Sequence, residues 1–188
     1  IINGQILITI NPVNDPPYLV EISDLEFNED TSESINLSGS DVDGDSLNYS
    51  ITNGNNIEAT IENNTSIIFS PDINWFGVET FTISVSDGEL EDYQSITVTI
   101  NGINDSPLLI SSLDDISFNE DDSIQLPLYA IDNDGDDLSF EFISNPQIIE
   151  ASFQGSLLLL SAPANWFGSE SWQISVSDGS LSDINTIN

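Results

Sequence analysis

This sequence predicts an all-β protein of antiparallel β-sandwiches in tandem, and three observations carry that expectation. Apolar and polar residues alternate in short runs such as Thr80–Val85 (TFTISV) and Ser95–Ile100 (SITVTI), the period-two pattern of half-buried strands. Clusters rich in Asp, Asn, Gly and Ser (DVDGDS, TNGNN, ENNTS, SDGELED) interrupt those runs and supply turn chemistry. The whole pattern is also written twice. FNED, DVDGD, NWFG and SVSDG between Phe27 and Gly88 return as FNED, DNDGD, NWFG and SVSDG between Phe118 and Gly179. No stretch has helical periodicity.

Taken in chain order, Ile8–Pro17 (ITINPVNDPP) matches Val98–Pro107 (VTINGINDSP), so residues 1–13 read as the last strand of a preceding repeat. A first full repeat then covers 14–103 and a second covers 104–188. Boundaries fall at Asn14–Pro17 (NDPP) and Asn104–Pro107 (NDSP), where proline ends a ladder and stiffens the passage into the next domain. Ser34–Leu37 and Ser171–Val176 (SWQISV) add two more alternating runs. About seven strands fit each repeat, with signals roughly every 8–12 residues. Leu181–Asn188 aligns with Leu90–Thr97 and stops before that last strand is complete, the appearance of a window on a longer array.

Composition narrows the function. The chain has 188 residues, 38% of them hydrophobic, enough for one thin core in each of two domains of roughly 90 residues. Asp and Glu number 33 and no Lys, Arg or His offsets them, so the formal charge is −33. Such a field repels nucleic acid and anionic membrane surfaces and attracts divalent cations. There is no Cys, hence no disulfide or thiol chemistry. No run approaches the roughly 18 apolar residues of a membrane helix. Without His, Lys, Arg or Cys the chain lacks the usual base for a Ser nucleophile and a cationic oxyanion donor. Paired carboxylates alone can run glycoside hydrolysis, but thin sandwiches offer no obvious cleft, and no enzyme is expected.

The acids cluster at repeated positions. Asp41-Val42-Asp43-Gly44-Asp45 recurs as Asp132-Asn133-Asp134-Gly135-Asp136, placing carboxylates at alternate positions of a tight glycine turn. A hard cation such as Ca²⁺ takes six to eight oxygens from carboxylates and carbonyls. An EF-hand does not fit, because its Gly belongs at position 6 and its Glu at position 12 of the loop. One such turn alone reads equally as an Asx turn. Two copies beside Asn-Asp-x-Pro linkers favour Ca²⁺. Asp45 and Asp136 read either as extra ligands or as solvated turn caps. In NWFG, the indole of Trp75 or Trp166 either plugs one end of its sandwich or offers a sugar platform; the plug is favoured.

With these motifs in their order and spacing, essentially the whole chain resembles the cadherin-like tandem repeats of large bacterial surface proteins. The resemblance implies Greek-key sandwiches of the cadherin/Ig-like type with Ca²⁺ at the seams between them. Carried over residue by residue, the complete seam would use Glu29 from the first repeat and Asn104 and Asp105 from the linker. Asp132, Asp134 and Asp178 would come from the second repeat. The preceding seam would hold Asn14, Asp15, Asp41, Asp43 and Asp87, while Glu120 would face a following one. A further acidic pair usual in the family is missing: the region reads PDINWFG and APANWFG, with Pro163 where the first copy has Asp72. Asn74 and Asn165 could supply an amide oxygen there. The implied role is an extracellular or cell-surface stalk or fibre rigidified by calcium, its partners being adjacent repeats of the same chain. Alternatives are an adhesive module binding glycans or itself, and a filament subunit assembled through homotypic contacts such as strand complementation. Neither nucleic acid nor membrane insertion is expected.

Overall fold

Alternation does its work most plainly where Phe81, Ile83 and Val85 are fully buried while the residues between them are not. The computed structural model describes residues 6–113 and 116–188, and no helix occurs among them. Two compact units divide the chain, Ile1–Gly102 and Ile103–Asn188.

The first unit runs β1 (Tyr18–Leu19), β2 (Leu25–Asn28), β3 (Glu33–Asn36), β4 (Gly39–Ser40), β5 (Asn48–Ile51), β6 (Ile57–Glu62), β7 (Ser66–Pro71), β8 (Gly77–Ser86) and β9 (Glu91–Asn101). One sheet has the order β2-β9-β8-β5, a second β3-β7-β6, and β1 pairs with β4. Every pairing is antiparallel except β2 with β9, which is parallel in the register Leu25↔Val98 to Asn28↔Asn101. The two larger sheets share one apolar core: Phe69 of β7 meets Phe81 of β8 edge to face, with ring centroids 5.2 Å apart. Each fully buried aromatic or aliphatic side chain contributes about 1.5–3 kcal/mol, which is how a chain without any cationic partner for its acids stays folded.

The second unit repeats the plan with β10 (Leu108–Leu109), β11 (Ser123–Pro127), β12 (Ala130–Ile131), β13 (Ser139–Phe142), β14 (Glu150–Gln154), β15 (Leu157–Ser161), β16 (Trp172–Ser177) and β17 (Ser182–Ile187). Its sheets are β13-β16-β17, β11-β15-β14 and the pair β10-β12. Leu158, Leu160, Trp172, Ile174, Val176 and Ile187 form the centre of its core.

One difference separates the copies. In the first unit Val98–Asn101 pair with β2 on one side, and Thr97–Ile100 pair with Gly77–Thr80 on the other. In the second unit residues 116–119 form no strand and β16 begins at Trp172. At the other end, residues 6–13 carry no strand either. Part of the closing strand expected over residues 1–13 lies outside the described residues.

Candidate metal centre

The DxD turn follows β4 directly. Asp41 Oδ1 accepts the backbone N–H groups of Asp43, Gly44 and Asp45 at 2.8, 2.9 and 3.2 Å. Gly44 closes the turn at φ +84°, a conformation that costs an L side chain about 1–2 kcal/mol. The result brings carboxylate oxygens of Asp41, Asp43 and Asp45 within 4.8 Å of one another. With Oδ1 committed to the turn, the other oxygen of Asp41, Oδ2, is buried and has no hydrogen-bond partner. The second unit repeats this. Asp132 Oδ1 accepts the N–H groups of Asp134 and Asp136 at 3.0 and 3.2 Å, and Asp132 Oδ2 is again buried and unpartnered.

The linkers fasten to these turns in the same way in both copies. Asp15 donates its N–H to Asp43 Oδ2 at 2.8 Å, and Asn14 donates from Nδ2 to Asp87 Oδ2 at 3.0 Å. Correspondingly, Asp105 N–H reaches Asp134 Oδ2 at 2.7 Å and Asn104 Nδ2 reaches Asp178 Oδ2 at 2.9 Å. Asp87 is held below the ordinary carboxylate range by the N–H groups of Leu90 and Glu89, with the Asn14 amide adding to them. Asp178 is lowered likewise by the Leu181 N–H, the Asn104 amide and the Ser180 N–H. Thus Asn14, Asp15, Asp41, Asp43 and Asp87 form one hydrogen-bonded group in the first unit. Asn104, Asp105, Asp132, Asp134 and Asp178 form its counterpart in the second. Asp45 joins the first group by proximity. Glu29 lies just past β2, is 4% exposed and donates its N–H to Asn101 O at 3.0 Å. Its counterpart Glu120 is exposed.

These residues fit a hard cation on chemical grounds. A buried carboxylate oxygen that no N–H reaches costs about 1–3 kcal/mol or more. The chain has no Lys, Arg or His to relieve it. Two oxygens on one Ca²⁺ lie at most about 5 Å apart, twice a Ca–O distance of ~2.5 Å, and the first turn meets that span. The side-chain donors are all oxygen, the ligand set of Ca²⁺ or Mg²⁺ and not of Zn²⁺.

Two carboxylates escaped the motif reading. Glu79 accepts from the N–H groups of Asn55 and Asn56 and from Asn56 Nδ2. Glu170, 91 positions on, accepts from the N–H groups of Gln147, Ile148 and Ile149. Burial pushes both carboxyls up, but these hydrogen bonds outweigh it and hold both below the ordinary glutamate value. The only signal was the shared offset, since VET and SES look unlike. Each glutamate pins the loop that supplies its N–H partners, Glu79 from within β8 and Glu170 from just before β16, and both lie outside the acidic groups. In NWFG, Trp75 packs against the core, and Asn74 takes φ +55° while donating its N–H to Asp30 Oδ1 at 2.9 Å. Asn165 does the same with Asp121 at 3.0 Å.

Fold and site together define a class: a tandem array of Ig-type β-sandwiches whose acidic turns recur once per unit. The sequence pattern of the bacterial Ig domain matches residues 14–101 and again 104–188, and the chain belongs to that family. No curated protein matches it. Among solved structures, human protocadherin-24 EC1-2 (Form II) aligns with a TM-score of 0.52 at 14% identity, covering 92% of this chain and 94% of that one. The insect immune protein hemolin aligns at 0.51 and 14%, covering 91% and 46%. An endo-fucoidan hydrolase of glycoside hydrolase family 107 aligns at 0.41 and 20%; this chain covers only 29% of its length. These likenesses concern the fold. No helix among the described residues is long and apolar enough to cross a membrane.

Proposed function

We propose that this chain is a calcium-rigidified repeat segment of an extracellular, surface-exposed protein, working as a structural stalk or fibre without catalytic activity of its own. The observation that carries this reading is the matched pair of buried, unpartnered oxygens, Asp41 Oδ2 and Asp132 Oδ2, in a chain with no basic residue. Asp41, Asp43 and Asp87 would hold the ion in the first unit with Asn14 and Asp15. Asp132, Asp134 and Asp178 would do so in the second with Asn104 and Asp105, and Glu29 would complete that seam from the first unit. A bound Ca²⁺ supplies charge neutralisation and a common anchor for oxygens that otherwise repel. The chain's own residues do the rest: backbone N–H groups hold each Asp in place, and the Asn–Asp linker is already tied to the DxD turn and to the late Asp. Fixing the linker fixes the direction in which the next domain starts, and flexible beads become a rod.

Small-angle scattering of the full chain with Ca²⁺ and with chelator tests this. The expected result is a longer maximum dimension and a narrower distance distribution with Ca²⁺; identical profiles would overturn it. Glycan arrays address the adhesive alternative, which alone requires a specific ligand for this pair of units.

A further inference from the structure

The two linkers are fastened to their turns alike but not equally. In the second unit Asn133, which stands between the two aspartates of the DxD turn, donates from Nδ2 to Asp105 Oδ2 at 3.2 Å. Asn104 Nδ2, besides reaching Asp178, reaches the Asp105 carbonyl at 3.1 Å. With the Asp105 N–H on Asp134 Oδ2, the backbone and the side chain of Asp105 are both held by the same turn. Asp105 and Asp134 are half-buried there, whereas their counterparts Asp15 and Asp43 are exposed. The first turn carries Val42 where the second carries Asn133. The Val42 side chain has no donor and is 85% exposed, so it cannot hold the carboxylate of Asp15. What the first unit gathers instead is the turn itself, with oxygens of Asp41, Asp43 and Asp45 within 4.8 Å of one another.

An amide suits this place in the second turn. It donates to a carboxylate without bringing a positive charge that would oppose a cation, and it does not repel Asp105 as another carboxylate would. A partner outside the ligands that orients one of them commonly changes metal affinity by about 10–100-fold. We propose that Asn133 is such a positioning residue. It holds the Asp105 carboxylate against the DxD turn before an ion arrives, while the first unit leaves Asp15 to be ordered by the ion. This role presupposes Ca²⁺ at the acidic groups and adds an inequality between them. The ordering of the linker opposes binding in the first unit and is largely complete in advance in the second.

Nuclear magnetic resonance of the full chain titrated with Ca²⁺ alone tests this, because the amide signals of Gly44 and Gly135 report the two turns separately. In chelator the Asp105 amide should be more ordered than that of Asp15 on the ps–ns timescale. Asn133→Val installs the residue that the first turn already carries, so the second turn should still form. The variant should loosen Asp105 in chelator and weaken Ca²⁺ binding at Gly135 about tenfold, leaving binding at Gly44 unchanged. Val42→Asn should do the reverse in the first unit, ordering Asp15 and tightening binding at Gly44. Ca²⁺ bound by both units, with Asp105 order and second-unit affinity untouched by Asn133→Val, overturns the proposal alone. So does a loss of affinity that falls equally on both units, or a Val42→Asn chain in which Asp15 is no more ordered than before. Absence of Ca²⁺ uptake by either unit overturns it together with the calcium reading.

Discussion

Replacing Asp41 with Asn separates a metal ligand from a turn cap, because the two roles use different oxygens. Asn keeps an Oδ1 acceptor for the N–H groups of Asp43, Gly44 and Asp45 but removes the charge on the buried, unpartnered Oδ2. Without metal, the variant replaces the orphan acceptor, costing about 1–3 kcal/mol, with an amide N–H₂ that the neighbouring carboxylates of Asp43 and Asp45 can accept from, and sheds repulsion of about 1 kcal/mol from each of them at water-like dielectric. Against that, three charge-assisted hydrogen bonds become neutral ones, roughly half as strong. The net is a gain of about 1 kcal/mol in chelator. With Ca²⁺ at a hundredfold excess over its dissociation constant, the wild type gains about 2.7 kcal/mol. Losing most of that leaves the variant about 2 kcal/mol the weaker. For a unit of this size about 1 kcal/mol moves the midpoint by 4–8 °C. Calorimetry of the full chain should thus show the first-unit transition about 5 °C higher than wild type in chelator and about 10 °C lower in Ca²⁺. Asp132→Asn should do the same to the other transition. A shift of the same sign and size in both buffers would refute the reasoning and leave Asp41 a turn cap.

Acid should weaken the fold partly through Glu79 and Glu170. Their folded-state pKa values are lowered, so their contribution is complete above the ordinary glutamate value and vanishes as pH falls through the folded one. Glu79→Gln should cost about 1 kcal/mol at pH 7 after solvent screening and flatten the acid limb of a denaturant titration. At Gly77 a Cβ would stand 2.8 Å from the Trp75 ring. Gly77→Ala should therefore cost about 1–3 kcal/mol, and measurably less in a Trp75→Leu background, as double-mutant unfolding curves would show. Phe69→Ala, at a fully buried position against Phe81, should cost about 3–5 kcal/mol by urea unfolding.

Much of the architecture was legible because burial here is one-sided. Thr80–Val85 lies within β8, Ser95–Ile100 within β9, and Ser34–Leu37 overlaps β3, as the period-two pattern requires. The parallel pairing of β2 with β9 was not legible. LEFN is only four residues long, and its partner lies some 70 residues away, a distance over which periodicity carries no information. In the acidic groups, the DxD turn declared itself through glycine and spacing. That Asp41 divides its labour, Oδ1 to the turn and Oδ2 to nothing, is a matter of side-chain direction that no spacing encodes. Glu79 was missed because its partners are backbone N–H groups of a loop, which any sequence can supply.

The parallel seam between β2 and β9 has a mechanical consequence. β2 leads in from the amino-terminal side of the first unit and β9 leads out on the carboxyl-terminal side. Because the two run parallel, the start of one and the end of the other lie at opposite ends of the seam. Tension applied through the linkers therefore loads the hydrogen bonds from Leu25↔Val98 to Asn28↔Asn101 in shear, all at once. An antiparallel closing pair would be pulled from one end and would unzip bond by bond. The first unit is thus built to bear load along the chain through a parallel seam of four residue pairs.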